Sequence, residues 1–260
     1  MPNCITIFTN MAIGQASDLS HHGCTCRATQ AKDDRSDPFS GVDMTDAVHN
    51  DAADSATKPF VGQMSPVAMI RCEGLTAVFC GVAGLTVVYL AVALMLGIAP
   101  LTLVGLFLVG VFYWTFLEYL LHRFVLHWEP EQPVLKAIRK VFPGHRAHHN
   151  KPSRFREDGL HMLKFFTWPS LFGVLFFWPV FGSLPMSLTF TAGIQIGYLL
   201  YEFTHSACHF MPMKWNYAAH LKRHHAIHHH RDETVNFGVT TSIWDRLFRT
   251  TWKGRRASAA

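Results

Sequence analysis

The chain has 260 residues, of which 49% are hydrophobic and only 16% are charged, and its formal net charge is +5. So few charges exclude an ordinary soluble composition, and 17 histidines are far more than a chain of this length usually carries. The cations are explained by orientation in a membrane, so no nucleic-acid partner is expected. The six cysteines include no CxxC pair and are expected to be reduced.

The N-terminal region, residues 1–65, is predicted to be disordered. It is rich in Asp, Ser, Thr and Ala and has little periodicity, so it cannot bury much apolar surface. It also lacks the basic start and the long apolar core of a signal peptide. We therefore expect one folded membrane domain at residues 70–252, followed by a short basic tail at 253–260.

Two long uncharged runs predict the membrane-spanning helices. The first run, residues 74–117, is broken at Pro100 and is long enough for two spans, at about 75–98 and 101–122. The second run, residues 165–201, fits two spans only if each is short. The predicted fold is an all-α integral membrane protein with about four transmembrane helices in two hairpins.

The distribution of cations predicts the orientation of these helices. All 23 Lys and Arg residues fall in the N-terminal region, in residues 122–164, or after residue 204. With four passes these three regions share one side of the membrane, which the positive-inside rule makes cytoplasmic. We expect the endoplasmic reticulum membrane if the source is eukaryotic, and the inner membrane if it is bacterial.

The motif H-x-x-H-H occurs twice, at residues 145–149 and 225–229. A register that starts at His224 fails, because Ile227 stands where the second histidine is needed. On a helix, residues i, i+3 and i+4 lie on one face, so the three imidazoles of each unit are expected to point at one volume. His224 and His230 are expected to be bystanders.

Two histidine pairs follow the same logic. His205 and His209 are four residues apart and share a helical face. His122 and His127 are five apart, which does not stack on an ideal helix, so we expect His122 at a helix end with the chain turning back. The pairs and the H-x-x-H-H units flank the predicted spans on one side, forming a histidine-rich helical cap. The predicted ligands are His122, His127, His145, His148, His149, His205, His209, His225, His228 and His229.

Ten imidazoles are too many for one ion, whereas two ions would receive about five each and keep an open position. A structural zinc site is closed and uses four ligands. An open pair of ions suits activation of O₂, for which iron is the usual metal, although zinc can occupy imidazole sites in isolated protein. Carboxylates are expected to orient the imidazoles through their other nitrogen, and the candidates are Glu118, Glu202, Asp232 and Asp245.

The order of motifs, H-x4-H, H-x2-H-H, H-x3-H and H-x2-H-H, resembles the fatty acid hydroxylase superfamily of membrane non-haem di-iron enzymes over about residues 70–252. The segments EYLLHRFVLH (118–127) and NFGVTTSIWDRLF (236–248) resemble its fatty acid 2-hydroxylase branch. The resemblance implies hydroxylation of a long-chain lipid by O₂, most readily at C2 of an acyl chain. It also implies that the ten histidines hold two iron ions.

Two alternatives remain open at this point. The first is oxidation of a sterol or carotenoid, which other branches of the superfamily perform. The second is a non-catalytic membrane protein that binds or transports metal, although the uncharged runs contain no histidine or charge to form an ion pathway. The first 70 residues lack the His-Pro-Gly-Gly haem motif of a cytochrome b5 domain. Electrons are therefore expected from a separate cytochrome b5-like or ferredoxin-like protein.

Overall fold

The structure is a computed structural model, and it describes residues 64–128, 130–132, 136, 148–149 and 159–254. The described residues form helices and loops and include no strand, which confirms the expected all-α class for this part of the chain. A π-helical turn, Leu121–Leu126, continues the third helix. The α-helices are α1 (Pro66–Cys72), α2 (Leu75–Met95), α3 (Pro100–Leu120), α4 (Gly159–Phe181), α5 (Leu184–Phe210), α6 (Asn216–His230) and α7 (Ile243–Leu247).

Both helical hairpins turn at a glycine that is followed by a proline. Gly97 and Gly182 have φ angles of 81° and 59°, a backbone conformation that residues with a Cβ rarely adopt. Pro100 then begins α3, and Pro185 lies in the first turn of α5, where a missing N–H costs nothing. The sequence therefore fixes the ends of α2, α3, α4 and α5 by local backbone preference.

Helix α5 is the centre of the bundle, and α2, α3 and α4 pack around it. Val82 of α2 and Trp114 of α3 lie in one buried cluster with Ile194 of α5. The polar residues of α5 are accommodated in this interior. Gln195 Oε1, for example, accepts a hydrogen bond from Thr86 Oγ1 of α2 at 2.8 Å.

Glycines let α3 and α5 approach each other closely. A Cβ added at Gly193 would lie 2.2 Å from the backbone oxygen of Phe107, and one at Gly110 would lie 2.2 Å from that of Phe190. One turn further along, a Cβ at Gly197 would lie 2.4 Å from Cβ of Trp114. Gly193 and Gly197 form a G-x-x-x-G pair, which is typical of close helix packing in membranes.

Within the described residues, two helices are long and apolar enough to cross a membrane, Leu75–Met95 and Pro100–Leu126. Only 28% and 11% of their most apolar segments are buried, so they present apolar side chains outwards, unlike the core helix of a soluble protein. The apolar part of α4, Ser170–Phe181, is shorter, and α5 is enclosed by its neighbours. Two of the four expected spans thus have the required length and composition, and the four-span topology stays a prediction.

The short helix α7 brings the C-terminal segment back onto α3. Trp244 Nε1 donates a hydrogen bond to Thr115 Oγ1 at 2.9 Å, and its ring packs on Phe116 with centroids 4.8 Å apart. The ring of Phe248 stacks on Tyr119. These contacts fix the segment that follows α6 beside the end of α3 at which His122 lies.

The cysteines agree only in part with expectation. Cys208 in α5 is a free thiol and is buried, as expected of a reduced structural cysteine. Cys72, at the end of α1, and Cys80, in the second turn of α2, are each disulfide-bonded. The expectation of a fully reduced set is therefore wrong for these two residues.

The close approach of α3 and α5 predicts that Gly193→Ala is destabilising. The new Cβ meets backbone that cannot move aside cheaply, so we expect a loss of about 1–3 kcal/mol of unfolding free energy. The measurement is thermal unfolding of the purified protein in detergent. Gly105→Ala in α3 is the matched control, because a Cβ there has nothing within 4 Å. Equal melting temperatures for the two variants would contradict the proposed packing.

Candidate metal centre

The predicted ligand histidines that the structure describes fall into two groups. In each group, one potential ligand nitrogen from every residue lies within 4.8 Å of the others. His145 lies outside the described residues, so its place stays a prediction. The first histidine group consists of His148, His205, His209, His225 and His229, and the second histidine group consists of His122, His127, His149 and His228.

Each H-x-x-H-H unit is divided between the two groups. In α6, His225 and His229 belong to the first group, whereas His228 belongs to the second. His148 and His149 are divided in the same way. Neighbouring residues on a helix point about 100° apart, so they reach two centres that lie side by side. The expectation that all three imidazoles of a unit share one volume is therefore wrong.

The five-residue spacing of His122 and His127 is resolved by the π-helical turn at Leu121–Leu126. A π-turn closes i→i+5 hydrogen bonds, so residues five apart come to the same side of the chain. The two rings stack with centroids 5.2 Å apart. The expected return of His127 towards His122 is thus confirmed, and a widened helical turn produces it.

The ring nitrogens are spaced as ligands of common ions would be. In the first group, His209 Nε2 lies 3.0 Å from Nε2 of both His148 and His225. In the second group, the Nε2 atoms of His127 and His228 are 3.0 Å apart. Two nitrogens about 2.1 Å from one ion would be about 3.0 Å apart at a right angle and about 3.4 Å apart in a tetrahedral site. These three spacings are compatible with nitrogens that share one ion.

His229 tests the fit to a metal most directly. Both of its ring nitrogens are buried, and neither has a hydrogen-bond partner among the described residues. The same holds for Nδ1 of His225. A buried nitrogen without a partner costs about 1–3 kcal/mol, which coordination of an ion would offset. The donor set therefore fits metal ions that accept imidazole ligands.

The environment keeps these imidazoles in their neutral, ligating form. Burial, followed by the neighbouring histidines, lowers the pKa of His225 and His229. Burial also lowers the pKa of His149 to about 3 and that of His228 to about 4. Neutral imidazole is the form that binds metal, so the fold prepares these rings as ligands at neutral pH.

A loop between α6 and α7, residues 235–241, orients the second histidine group through backbone oxygens. Phe237 O accepts a hydrogen bond from His122 Nδ1 at 2.5 Å, and Val235 O accepts one from His228 Nδ1 at 2.7 Å. These bonds fix the tautomer in which Nδ1 carries the proton. Nε2 of each ring is therefore the atom that can act as the ligand.

Two buried carboxylates hold this loop in place. Glu118 at the end of α3 accepts hydrogen bonds from the N–H groups of Val239 and Thr240 and from the hydroxyl of Thr240. Asp245 in α7 accepts from the N–H groups of Phe237 and Gly238 at 2.9 and 2.8 Å. A Cβ at Gly238 would lie 2.1 Å from the backbone oxygen of Thr241, so this loop requires a glycine.

The four candidate carboxylates differ in their contacts. Among the described residues, Glu118 and Asp245 accept from backbone N–H groups near the ligand rings, and Asp232 accepts from Thr234. These three carboxylates therefore bond groups other than the grouped histidines, and their role as orienting carboxylates stays a prediction. Glu202 is buried one turn before His205, and its role as an orienting carboxylate stays a prediction.

His224 is outside both groups, as the register predicts, but it is no bystander. Its ring is buried, and its Nε2 lies 3.0 Å from Oδ2 of Asp245. Its backbone oxygen also accepts a hydrogen bond from Asn236 Nδ2. His224 thus braces the 235–241 loop from α6, and the expectation that it is a bystander is wrong. His230, by contrast, is exposed.

The fold and the site together define an all-helical bundle with two candidate membrane-spanning helices and two histidine groups at one end. A family model described as fatty acid hydroxylase matches residues 107–250, more than half of the chain. The chain belongs to the fatty acid hydroxylase family.

Similar proteins agree with this assignment. Fatty acid 2-hydroxylase of Mus musculus is 36% identical over 152 residues, covering 56% of this chain and 39% of that protein. Dihydroceramide fatty acyl 2-hydroxylase FAH2 of Arabidopsis thaliana is 32% identical over 147 residues, covering 54% of this chain and 58% of that protein. The chain matches about two fifths of the length of the mouse relative.

A solved structure has the same fold. Full-length scs7p, in which only the hydroxylase domain is visible, superposes with a TM-score of 0.57 and is 27% identical. The match covers 69% of this chain and 67% of that one. The ceramide very long chain fatty acid hydroxylase SCS7 of Saccharomyces cerevisiae is itself 35% identical over 153 residues, 56% of this chain and 37% of that protein.

Glu118 and Asp245 together form what we call the loop clamp, because they hold residues 235–241 in place. The loop clamp predicts different outcomes for two substitutions of Glu118. In Glu118→Gln the amide oxygen still accepts from Val239 and Thr240, whereas Glu118→Ala leaves two buried N–H groups unpaired, at a cost of about 1–3 kcal/mol each. We expect Glu118→Ala to lower metal affinity about 10- to 100-fold and Glu118→Gln to stay close to the unmodified protein. Metal bound per chain is measured at limiting metal. Unchanged binding by Glu118→Ala would show that the clamp does not orient the ligands.

The lowered pKa values predict loss of stability in acid once bound metal has been chelated. His149 and His228 have an ordinary pKa of 6.5 and lower values, about 3 and about 4, in the folded chain. The unfolded chain therefore takes up protons first as the pH falls, so the unfolding free energy declines between about pH 6.5 and about pH 4. Melting temperatures across this range measure the effect, and a constant melting temperature would contradict it.

Proposed function

We propose that the chain is a membrane non-haem di-iron monooxygenase that hydroxylates a long-chain lipid, most readily at C2 of a fatty acyl chain. The observation that carries the proposal is the pair of imidazole-only groups lying side by side at one end of an apolar bundle. In the overall reaction, a C–H bond and O₂ react with two electrons and two protons to give C–OH and water. Two irons, when bound, would supply the activation of O₂.

The ten predicted histidines would hold these ions, five residues in the first group and the second group completed by His145. The chain's own residues make the site ready in three ways. The rings are neutral, the 235–241 loop fixes two of them through Nδ1, and water is largely excluded. His122, His205, His225 and His228 are at most 2% exposed, so the reacting centre would be separated from bulk solvent.

The four-span topology with a cytoplasmic cap is part of the proposal. The end of the apolar segment Pro100–Leu126 carries His122, and the end of α5 carries His205 and His209, so both groups lie where the bundle meets the polar segments. An acyl chain in the bilayer would keep its polar head at this level. Carbons close to the carboxyl end, C2 among them, would then be the first to reach the site.

The similar proteins favour an acyl substrate over a sterol or a carotenoid. The relatives from mouse, Arabidopsis and Saccharomyces are all named as hydroxylases of fatty acids or of the fatty acyl part of a ceramide. Electrons would come from a separate protein, either cytochrome b5-like or ferredoxin-like. Zinc would be an occupant only in isolated protein.

The experiment expresses the chain in cells and measures both lipids and iron. We expect new 2-hydroxy acyl species by mass spectrometry and about two irons per chain. His205→Ala and His122→Ala, one from each group, should each lower product at least about 100-fold and reduce bound iron. His230→Ala is the matched control, because His230 is exposed on the same helix as three predicted ligands.

Each alternative would give a different result in the same experiment. Altered sterols or carotenoids with unchanged acyl chains would overturn the acyl substrate and keep the reaction class. Metal uptake by the cells without any oxidised lipid would overturn catalysis and support a transport or storage role.

A further inference from the structure

The outward face of α6 carries polar, aromatic and cationic side chains. Its exposed residues include Tyr217, His220 and Arg223 and no aliphatic side chain. Arg246 of α7, also exposed, lies beside them, because Arg246 and Arg223 both act electrostatically on the imidazole of His220. Neither guanidinium has an ion-pair partner in the part of the chain that the structure describes. Burial, followed by the neighbouring His224, Arg246 and Arg223, lowers the pKa of His220, so the positive charge comes from the two guanidinium groups. We call His220, Arg223 and Arg246 the cationic patch.

The cationic patch lies directly over the metal centre. The opposite face of α6 carries His225, His228 and His229, so the two faces are separated by about one helix diameter, roughly 10 Å. No other described helix carries both exposed cations and three grouped histidines.

A series of contacts connects the patch with the second histidine group, and it is hydrogen-bonded from His224 onwards. The ring of His220 lies 5.7 Å from that of His224, measured between centroids. His224 Nε2 lies 3.0 Å from Asp245, whose other oxygen accepts from the N–H of Phe237. Phe237 O then accepts from His122 Nδ1. This series of contacts therefore runs from the surface, through buried groups, to the predicted ligand His122.

We infer that the cationic patch is the docking surface for an acidic one-electron carrier protein, and that electrons enter the metal centre beneath it. This inference rests on the proposed function, which requires two electrons for each hydroxyl group formed. Each docked carrier is oxidised by one electron, and two carriers are used per turnover. O₂ is the final oxidant, and the two protons and one of its oxygen atoms leave as water.

Charge complementarity identifies the carrier as acidic. Unpaired guanidinium groups at a surface attract an acidic partner and raise its rate of encounter. An anionic lipid surface would be attracted by the same charges, and the exposed apolar residues Ile243 and Leu247 of α7 lie nearby. The outward face of α6 favours a soluble carrier, because a lipid-facing helix would expose aliphatic side chains as α2 and α3 do, whereas α6 exposes none and instead exposes Tyr217 and Arg223, residue types that are enriched at protein interfaces.

The test measures turnover of the iron-loaded full chain in nanodiscs with two probes, the reduced soluble haem domain of cytochrome b5 and a reduced plant-type ferredoxin. Arg223→Glu and Arg246→Glu should each raise the KM for an acidic carrier about fivefold or more, and kcat at saturating carrier should change less than about twofold. Arg223→Gln and Arg246→Gln should give a smaller rise in the same direction. Arg71→Glu is the matched control, because Arg71 is an exposed arginine on α1, outside the patch.

Three outcomes would overturn the inference. The first is a KM that is unchanged in all four patch variants, and the second is an equal rise in Arg71→Glu. The third is an effect that appears only in nanodiscs with anionic lipid and vanishes in zwitterionic ones, which would assign the patch to lipid headgroups. A single turnover of enzyme pre-reduced with dithionite separates the two proposals, because hydroxylated product without carrier supports the proposed function even where docking fails.

Discussion

The contact between α3 and α5 is the constraint on which the paired centre depends. The two helices run in the same direction, since Gly110 lies against Gly193 and Trp114 lies against Gly197 one turn later. Gly110 precedes His122 by twelve residues, and Gly193 precedes His205 by the same number. At a rise of 1.5 Å per residue, each histidine stands about 18 Å beyond the contact. The glycines therefore set both groups at one level above the bundle.

The paired centre also requires that each imidazole ring has the correct orientation. In the second histidine group, backbone oxygens fix that orientation. Carbonyl groups of a loop are poor orienting devices unless the loop itself is held. Here Glu118 holds one end from α3 and Asp245 holds the other from α7. The two carboxylates thus orient the rings indirectly. They bond the loop, and the loop oxygens bond the imidazoles. This arrangement keeps negative charge off the rings while still fixing their direction.

Much of this architecture could be predicted from the sequence. The uncharged runs and the prolines between them predicted α2 to α5, and the spacing of the histidines predicted which of them lie in the groups. Both predictions depend only on residues that are close together in the sequence. The division of each H-x-x-H-H unit could not be predicted, since spacing alone does not say where a second centre lies. The π-turn was signalled by the five-residue gap between His122 and His127. The loop clamp had no local signal, because Glu118 and Asp245 meet their partners only through tertiary packing.

The division of adjacent histidines between the groups has a geometric consequence. His228 and His229 are joined by one peptide bond, yet they contribute to different centres. The distance between those centres is therefore tied to covalent geometry and to the pitch of α6, and side-chain adjustment can change it very little. Inserting one residue before His225 would turn all three rings by about 100°. The register of α6 and the distance between the two histidine groups would therefore have to be conserved together.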